Sequence, residues 1–423
     1  MAGPAATGDA RAVSAPGGPQ SAGAGGRFLR VAMVTTSFPR FPGDFAGHFV
    51  ARMAEALAGR GHSIEVVAPH AAGLATDESW AAPEGEAIRV KRFRYAPESF
   101  ERVAYGDGIP TNVRRDPRAA AALPAFVRAL QRAAARASRD CDIVHAQWAP
   151  TAAFAKSRAL KAPVVVTLHG SDVALSERGG IWRRLLERGL RPPTAAVIAV
   201  SNELADRLRG SLPADLLPRL SVVHSGIERS LLERARDPRD PAMPVSVAFV
   251  GRLLESKGVL DLAEAFAAVS SPARLVVVGD GPARDAMQRI LATRGVTPDR
   301  VSFLGALDRE RALEAMAQAD LVVAPSHAEG AGLVAVEASA LGTCVLGTRT
   351  GIMPEVLDDD QLVGVGDTSA LTGALVRLVA DEGARRRLAA AARSRVAASF
   401  TWDVLAERVE GVYREVLGAR EGS

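Results

Sequence analysis

From residue 29 onward, short continuous apolar runs alternate with stretches whose apolar positions recur every three or four residues. The runs Leu29 to Thr36, Ser63 to Ala68, Ile143 to Ala146, Val164 to Leu168, Ala196 to Val200 and Leu220 to Val223 predict strands. Helices are predicted between them over 46–60, 118–138, 181–190 and 202–209. The stretch Glu233 to Pro244 is rich in Pro and charge and has no apolar period, so it reads as a linker. The alternation then restarts, with strands Val245 to Val250, Leu275 to Gly279, Val301 to Phe303, Leu321 to Ala324 and Cys344 to Gly347. Helices should fill 258–269, 284–293, 308–318 and 333–341, and two helical stretches close the chain, 368–398 with a break near Gly383 and 402–418. Strand and helix in this order imply parallel sheets with helices packed on them, an α/β protein. No repeat of solenoid period interrupts it.

A length of 423 residues exceeds one ordinary core, and two domains of roughly 200 residues each are the natural division. The boundaries predicted are a disordered tail over 1–27, a first wound-sheet domain over 28–232, the linker over 233–244, a second wound-sheet domain over 245–400, and a closing helix over 401–423. Of the first 26 residues, 20 are Ala, Gly, Pro or Ser, with no apolar segment of the kind a secretory leader needs. No apolar run approaches the roughly 18 residues that span a bilayer, so the chain is expected to be soluble or peripheral. Lys and Arg number 52 against 48 Asp and Glu, and aromatic residues are only 5%. That balance argues against nucleic acid as a partner, which calls for clustered cations interleaved with aromatics. Cys141 and Cys344 fall in different domains without metal-ligand spacing, and are expected to be reduced thiols in a cytoplasmic protein.

Chemistry concentrates where predicted strands end, the rim at which open α/β sheets bind ligands. After the strand Leu321 to Ala324, Glu329 and Glu337 bracket Gly330, Gly332, Leu333 and Val334. A helix entered through those glycines presents free amides and the positive end of its dipole, a seat for phosphate. One carboxylate at each end suits a ligand with hydroxyls on both sides of a diphosphate, because ionised carboxylates accept from hydroxyls. After the strand Val245 to Val250, Arg252 and Lys257 are placed to neutralise a diphosphate. After Val164 to Leu168 comes His169-Gly170-Ser171-Asp172, in which Asp172 either orients His169 or caps the next helix. After the first strand, Gly43 lets backbone approach an anion, and Asp44 is a candidate helix cap. His48 is structural or belongs to an acceptor site.

Pro325-Ser326, Glu329-Gly330, Gly332-Leu333-Val334 and Glu337-Ala338, joined by Gly251-Arg252 through Lys257-Gly258 and by the H-G-x-D of His169 to Asp172, resemble the signature of glycosyltransferase family 4. These are retaining enzymes of the GT-B fold with an E-x7-E motif, and the resemblance spans most of residues 29–415. It departs at Ala331, where the family usually has Phe, at Cys344, where Pro is usual, and at Asp44, which interrupts a double glycine. The resemblance implies two Rossmann-like domains facing a cleft, with the last helix crossing back to the first domain. It implies that Glu329 and His169 contact the donor sugar, that Glu337 holds the ribose, and that Arg252, Lys257 and the amides at Gly332 and Leu333 hold the diphosphate. Backbone near Gly305 would meet the base, and Glu329, His169, Arg252 and Lys257 form the implied catalytic set. No metal or other cofactor is implied beyond the nucleotide diphosphate sugar itself.

UDP-N-acetylglucosamine or UDP-glucose is the expected donor, with GDP-mannose the competitor. A composition rich in Ala, Arg and Gly, of the kind high-GC actinobacteria encode, suggests a small natural product such as an antibiotic aminocyclitol as the hydroxyl acceptor. A lipid-linked glycan or glycolipid is the alternative, and a sugar-nucleotide epimerase of the same fold is the rival from another class. Gly279-Asp280-Gly281-Pro282 lacks the third glycine of a dinucleotide fingerprint and reads as a turn. Asp358-Asp359-Asp360 and Asp140-Cys141-Asp142 lie at a turn and before a strand, and neither is read as a metal site. The stretch Ile181 to Arg191 mixes Ile181, Trp182, Leu185 and Leu186 with four arginines; an ordinary packed helix with a solvated face is preferred over membrane contact.

Overall fold

A computed structural model describes residues 27–421 apart from Pro42, Phe45, Asp107, 235–242, Ser271, Gly330 and Ala331. The first sheet contains β1 (Arg30–Val34), β2 (Ser63–Pro69), β3 (Asp77–Trp80), β4 (Ile88–Phe93), β5 (Ile143–Gln147), β6 (Val164–Leu168), β7 (Thr194–Ala199) and β8 (Ser221–Val222). Its order is β3-β4-β2-β1-β5-β6-β7-β8, parallel throughout except for the β3/β4 edge. The second contains β9 (Val245–Val250), β10 (Ala273–Val278), β11 (Val301–Gly305), β12 (Leu321–Ala324), β13 (Cys344–Thr348) and β14 (Leu362–Val363), all parallel in the order β11-β10-β9-β12-β13-β14. The central strands β5, β6 and β12 are buried at every position, covered on both faces, and besides their apolar residues they enclose the polar His145, Gln147 and Thr167. In each sheet the order reverses beside the first strand, which opens a crevice at the carboxyl ends of β1 and β5 and of β9 and β12.

Three strands escaped the sequence reading. β4 alternates apolar and basic residues, β3 is a half-exposed edge, and β14 has only two residues, so none shows the continuous run of a central strand. The break in the late helices falls at Asp381, two residues before Gly383, because its carboxylate accepts the Ala384 amide at 2.8 Å and caps Glu382–Ser399.

The last helix, Trp402–Glu421, leaves the second domain and packs on the first. Its residues Trp402, Leu405, Ala406, Val409, Val412, Tyr413 and Val416, three or four apart, share one core with Val50, Ala54 and Leu57 of the helix His48–Gly59. Arg60 anchors it at 2.6 Å to Glu410. At the crossing, the Ile227 amide donates to the Phe400 carbonyl at 2.9 Å and the Trp402 amide to the Ile227 carbonyl at 3.2 Å. The arginine-rich helix Gly180–Leu190 buries Leu186, Gly189 and Leu190, while Ile181 and Arg184 are exposed. Among the described residues, no helix is long and apolar enough to cross a membrane. Both cysteines are free thiols.

Candidate functional site

The loops leaving β9 and β12 meet because Gly258 has no side chain. Its φ is +66°, and a Cβ there would stand 1.9 Å from the Pro325 carbonyl oxygen. This close approach brings Lys257 Nζ to 2.6 Å from Glu329 Oε2, while Ser326 Oγ donates to the same oxygen at 3.2 Å. Gly332 opens the helix Leu333–Ala340 at φ +53°, where a Cβ would lie 2.5 Å from Ile352. Gly330, also predicted to belong here, lies outside the described residues.

A cavity of about 670 Å³ opens between the two sheets. Of the residues singled out from sequence, it is lined by Gly43, His48, Arg252, Leu333, Val334 and Glu337. One wall is apolar, formed by Ala306, Leu307, Ala312, Leu313 and Met316, a surface suited to the flat face of a base. Gly305 lies outside this lining; its carbonyl is taken by the Gly279 amide at 2.7 Å, and Ala306 and Leu307 face the cavity instead. Lys257 and Glu329 are not part of the lining either, but Arg252 and Gly251 of the Lys257 loop are. His169 reaches the cavity wall through Phe49, whose ring centroid is 4.5 Å from the imidazole.

Glu337 is almost buried and its carboxylate accepts from Arg309 Nη1 at 2.7 Å. The other amino group of Arg309 donates to Glu228 at 2.7 Å, and Glu228 lies 3.1 Å from Arg52 of the first domain. Burial pushes the Glu337 carboxyl up to about 7, with Arg309 pulling it down and Glu228 pushing it further up. Burial would also raise Glu228, yet Arg309 and Arg52 outweigh it and hold that carboxyl below its ordinary value. His48 is pushed down to about 4 by burial and by Arg52 and Arg309, so it is neutral at neutral pH and accepts from Arg52 Nε at 3.1 Å. A second link between the domains runs through Glu355, which accepts from the Asn202 amide at 2.9 Å and lies 2.6 Å from His224.

Two capping expectations are corrected. Asp44 lies outside the helix His48–Gly59, whose N-cap is Gly47; its carboxylate instead takes the Arg40 and Ala46 amides at 3.0 and 3.2 Å and the Arg40 guanidinium at 2.6 Å, folding the loop on itself. Asp172 is inside the helix Ser171–Ser176, whose N-cap is Gly170. It gathers the amides of Gly170, Val173 and Ala149, and burial raises its carboxyl to about 6. The side chain bonded to His169 is Gln147, at 3.0 Å.

Sequence reading missed Asp280, Arg309, Glu228 and Gln147. Gly279 and Asp280, read from sequence only as part of a turn, directly follow β10 on the cavity, and Gln147 ends β5, so the strand-end rule that found His169 also points to them. Arg309 and Glu228 carry no such mark, since their partners lie 28 and 81 residues away.

Residues 46–231 match the family described as Glycosyltransferase Family 4, and residues 234–395 match Glycosyl transferases group 1. Glycogen synthase of Mycobacterium tuberculosis is 28% identical over 422 residues, covering 93% of this chain and 96% of that protein. The 2-deoxystreptamine N-acetyl-D-glucosaminyltransferase of Streptomyces fradiae is 31% identical over 307 residues, covering 66% of this chain and 72% of that protein. Among solved structures, sucrose-phosphate synthase from Thermosynechococcus elongatus superposes with a TM-score of 0.72 over 92% of this chain and 100% of that one, at 22% identity, a likeness of fold.

Proposed function

Because the chain belongs to the family 4 glycosyltransferases, with their GT-B fold, we propose that it transfers N-acetylglucosamine or glucose from a UDP-sugar to a hydroxyl of a small polyol, an aminocyclitol of the kind built into antibiotics. The observation that carries this reading is the Lys257–Glu329 pair, which joins the loop that brings Arg252 to the cavity to the loop that brings Leu333 to it, the same cavity being lined by Glu337 and an apolar wall. The base lies on Ala306 and Leu307, and Glu337 accepts from the ribose. Arg252 and Lys257 take the diphosphate together with the amides at Gly332 and Leu333, while Glu329 and His169 hold the sugar.

In this reading the acceptor oxygen bonds to the anomeric carbon on the face from which the diphosphate departs, so configuration is retained. The departing phosphate oxygen takes the acceptor proton. Charge grows on that oxygen as the glycosidic bond breaks, and fixed cations stabilise it more strongly than they stabilise the ground state. The step is proposed to draw its charge stabilisation from Arg252 and Lys257, without a metal, and to take place in the cytoplasm. The aminocyclitol acceptor draws on the Streptomyces fradiae relative, whose name specifies 2-deoxystreptamine.

The test is to incubate the full chain with UDP-N-acetylglucosamine, UDP-glucose or GDP-mannose, each with 2-deoxystreptamine. Products are read by mass and by the anomeric proton coupling. A glycosylated cyclitol with the donor's configuration is expected from a UDP-sugar. Inverted product, or a new nucleotide sugar formed without any acceptor, would sink the proposal.

A further inference from the structure

His145 stands inside β5, is 1% exposed, and is bonded at both ring nitrogens. Nδ1 lies 2.7 Å from the Tyr413 hydroxyl; Nε2 lies 2.7 Å from Thr167 Oγ1 and 3.3 Å from the Gln147 side-chain amide. The other end of that amide is 3.0 Å from His169 Nε2. A line of side chains thus runs from the returning C-terminal helix, through the first sheet, to the imidazole next to the cavity.

Burial holds His145 down to about 3 and His169 down to about 4, so at neutral pH each ring has one N–H and one lone pair. A neutral ring that accepts at one nitrogen donates at the other, which gives the line two self-consistent proton arrangements. In the first, His145 donates from Nδ1 to Tyr413, its Nε2 accepts from the amide N–H, and the amide oxygen accepts from His169 Nε2–H. In the second, Tyr413 O–H donates to His145 Nδ1, and His145 Nε2–H points to Thr167 Oγ1 and the amide oxygen. The amide, turned through half a circle, then donates to His169 Nε2, and the His169 proton sits on Nδ1.

Tyr413 separates the two. Its hydroxyl is fully buried, and among the described residues His145 Nδ1 is its hydrogen-bond partner. The first arrangement strands a buried O–H with no acceptor, and an unmade bond there leaves its desolvation uncompensated. The second gives that O–H its acceptor and leaves the Thr167 O–H, at a residue 7% exposed, to turn toward the small cavity that Thr167 lines with Gln147 and His169. We propose that Tyr413 is a positioning residue that acts through His145 and Gln147 to place the His169 proton on Nδ1, so that His169 offers a sugar oxygen a donor in place of a lone pair. The sugar contact rests on the function proposed above; the proton relay does not.

The experiment labels the seven histidines of the full chain with ¹⁵N and reads the His169 nitrogens at pH 7.5 without substrate, His169 being assigned by difference from His169→Gln. Wild-type protein is expected to show protonated Nδ1 and bare Nε2. Tyr413→Phe keeps the ring in its core and should move most of the proton to Nε2. Gln147→Glu, whose carboxylate only accepts, should do the same with Tyr413 intact. Both variants should raise the donor KM several-fold and leave the acceptor KM unchanged. A wild-type proton on Nε2, or a tautomer that neither variant moves, overturns the relay. A tautomer that moves with no change in donor KM overturns the sugar contact alone.

Discussion

Lys257 and Glu329 form an ion pair at 2.6 Å that joins the loop after β9 to the loop after β12 across 72 residues of sequence. Both side chains are only partly exposed, at 29% and 18%, so each holds the other in place before a donor arrives. Such preorganisation stabilises developing charge without reorganising at the moment of reaction.

Lys257→Ala and Glu329→Ala are each expected to lower kcat by at least about tenfold, and by about a hundredfold where the full loss of about 3 kcal/mol from one such electrostatic contact is realised. Circular dichroism and the melting temperature should stay close to wild type, because neither residue belongs to a hydrophobic core cluster. Near-normal turnover in either variant removes the pair from the transfer step.

Glu337 gives a pH dependence whose two readouts run in opposite directions. Burial raises its carboxyl from 4.5 to about 7, so the folded protein keeps a proton there that the unfolded chain has released. The stability this group contributes is complete below pH 4.5 and is lost as pH rises through about 7. In the proposed ribose role Glu337 acts as an ionised acceptor, so UDP affinity should rise between pH 6 and 8. Glu337→Gln should flatten both trends, checked by calorimetric titration with UDP and by thermal melting. UDP affinity that falls with rising pH would rule out the ribose role.

Arg309 is the cation that restrains that shift. Arg309→Ala should raise the Glu337 carboxyl further and move the midpoint of the UDP affinity profile to higher pH, while Glu228 rises as well. The same calorimetric series reads the displacement, and an unmoved midpoint would show that Arg309 does not govern Glu337.

Gly258→Ala is expected to impair folding and UDP binding together. A left-handed backbone costs an L-residue about 1–2 kcal/mol, and the new Cβ would overlap the Pro325 carbonyl oxygen. Gly210→Ala is the control: it lies in the helix Asn202–Ser211 with nothing within 4 Å of the added carbon, and should stabilise by about 0.5–1 kcal/mol. Melting temperatures of the two variants should move in opposite directions.

Buried parallel strands were the most legible part of the chain. Val164–Leu168, Val245–Val250 and Leu321–Ala324 appear in the fold with the ends their apolar runs predict, because strands covered on both faces are built mainly from apolar residues, with Thr167 and Ser246 the polar exceptions in these three. Strand β4, one place in from the sheet edge, was lost to Arg89, Lys91 and Arg92; Arg89 is exposed, while Arg92 is buried against Glu78 of the edge strand β3. Residues at strand ends were legible in the same way, which is why Arg252, Lys257, His169 and Glu329 could be singled out. Arg309, Glu228 and Tyr413 could not: the first opens a helix, the second sits in a loop and the third lies deep in a helix, and each gains its meaning from a partner that only the fold supplies.

The crossing at Ile227 and Thr401 has a mechanical consequence. The chain passes between the domains twice, and the two passes are hydrogen-bonded side by side, Ile227 to Phe400 and Trp402 to Ile227. Two ropes tied separately would let the halves twist and slide, whereas two ropes lashed together leave mainly a swing about the lashing. Glu228, the next residue after Ile227, sits at that fulcrum with Arg309 in its grip. Through Arg309 the lashing is tied to Glu337 on the cavity wall, so the place where the two domains are joined and the place where they face each other share one chain of ion pairs.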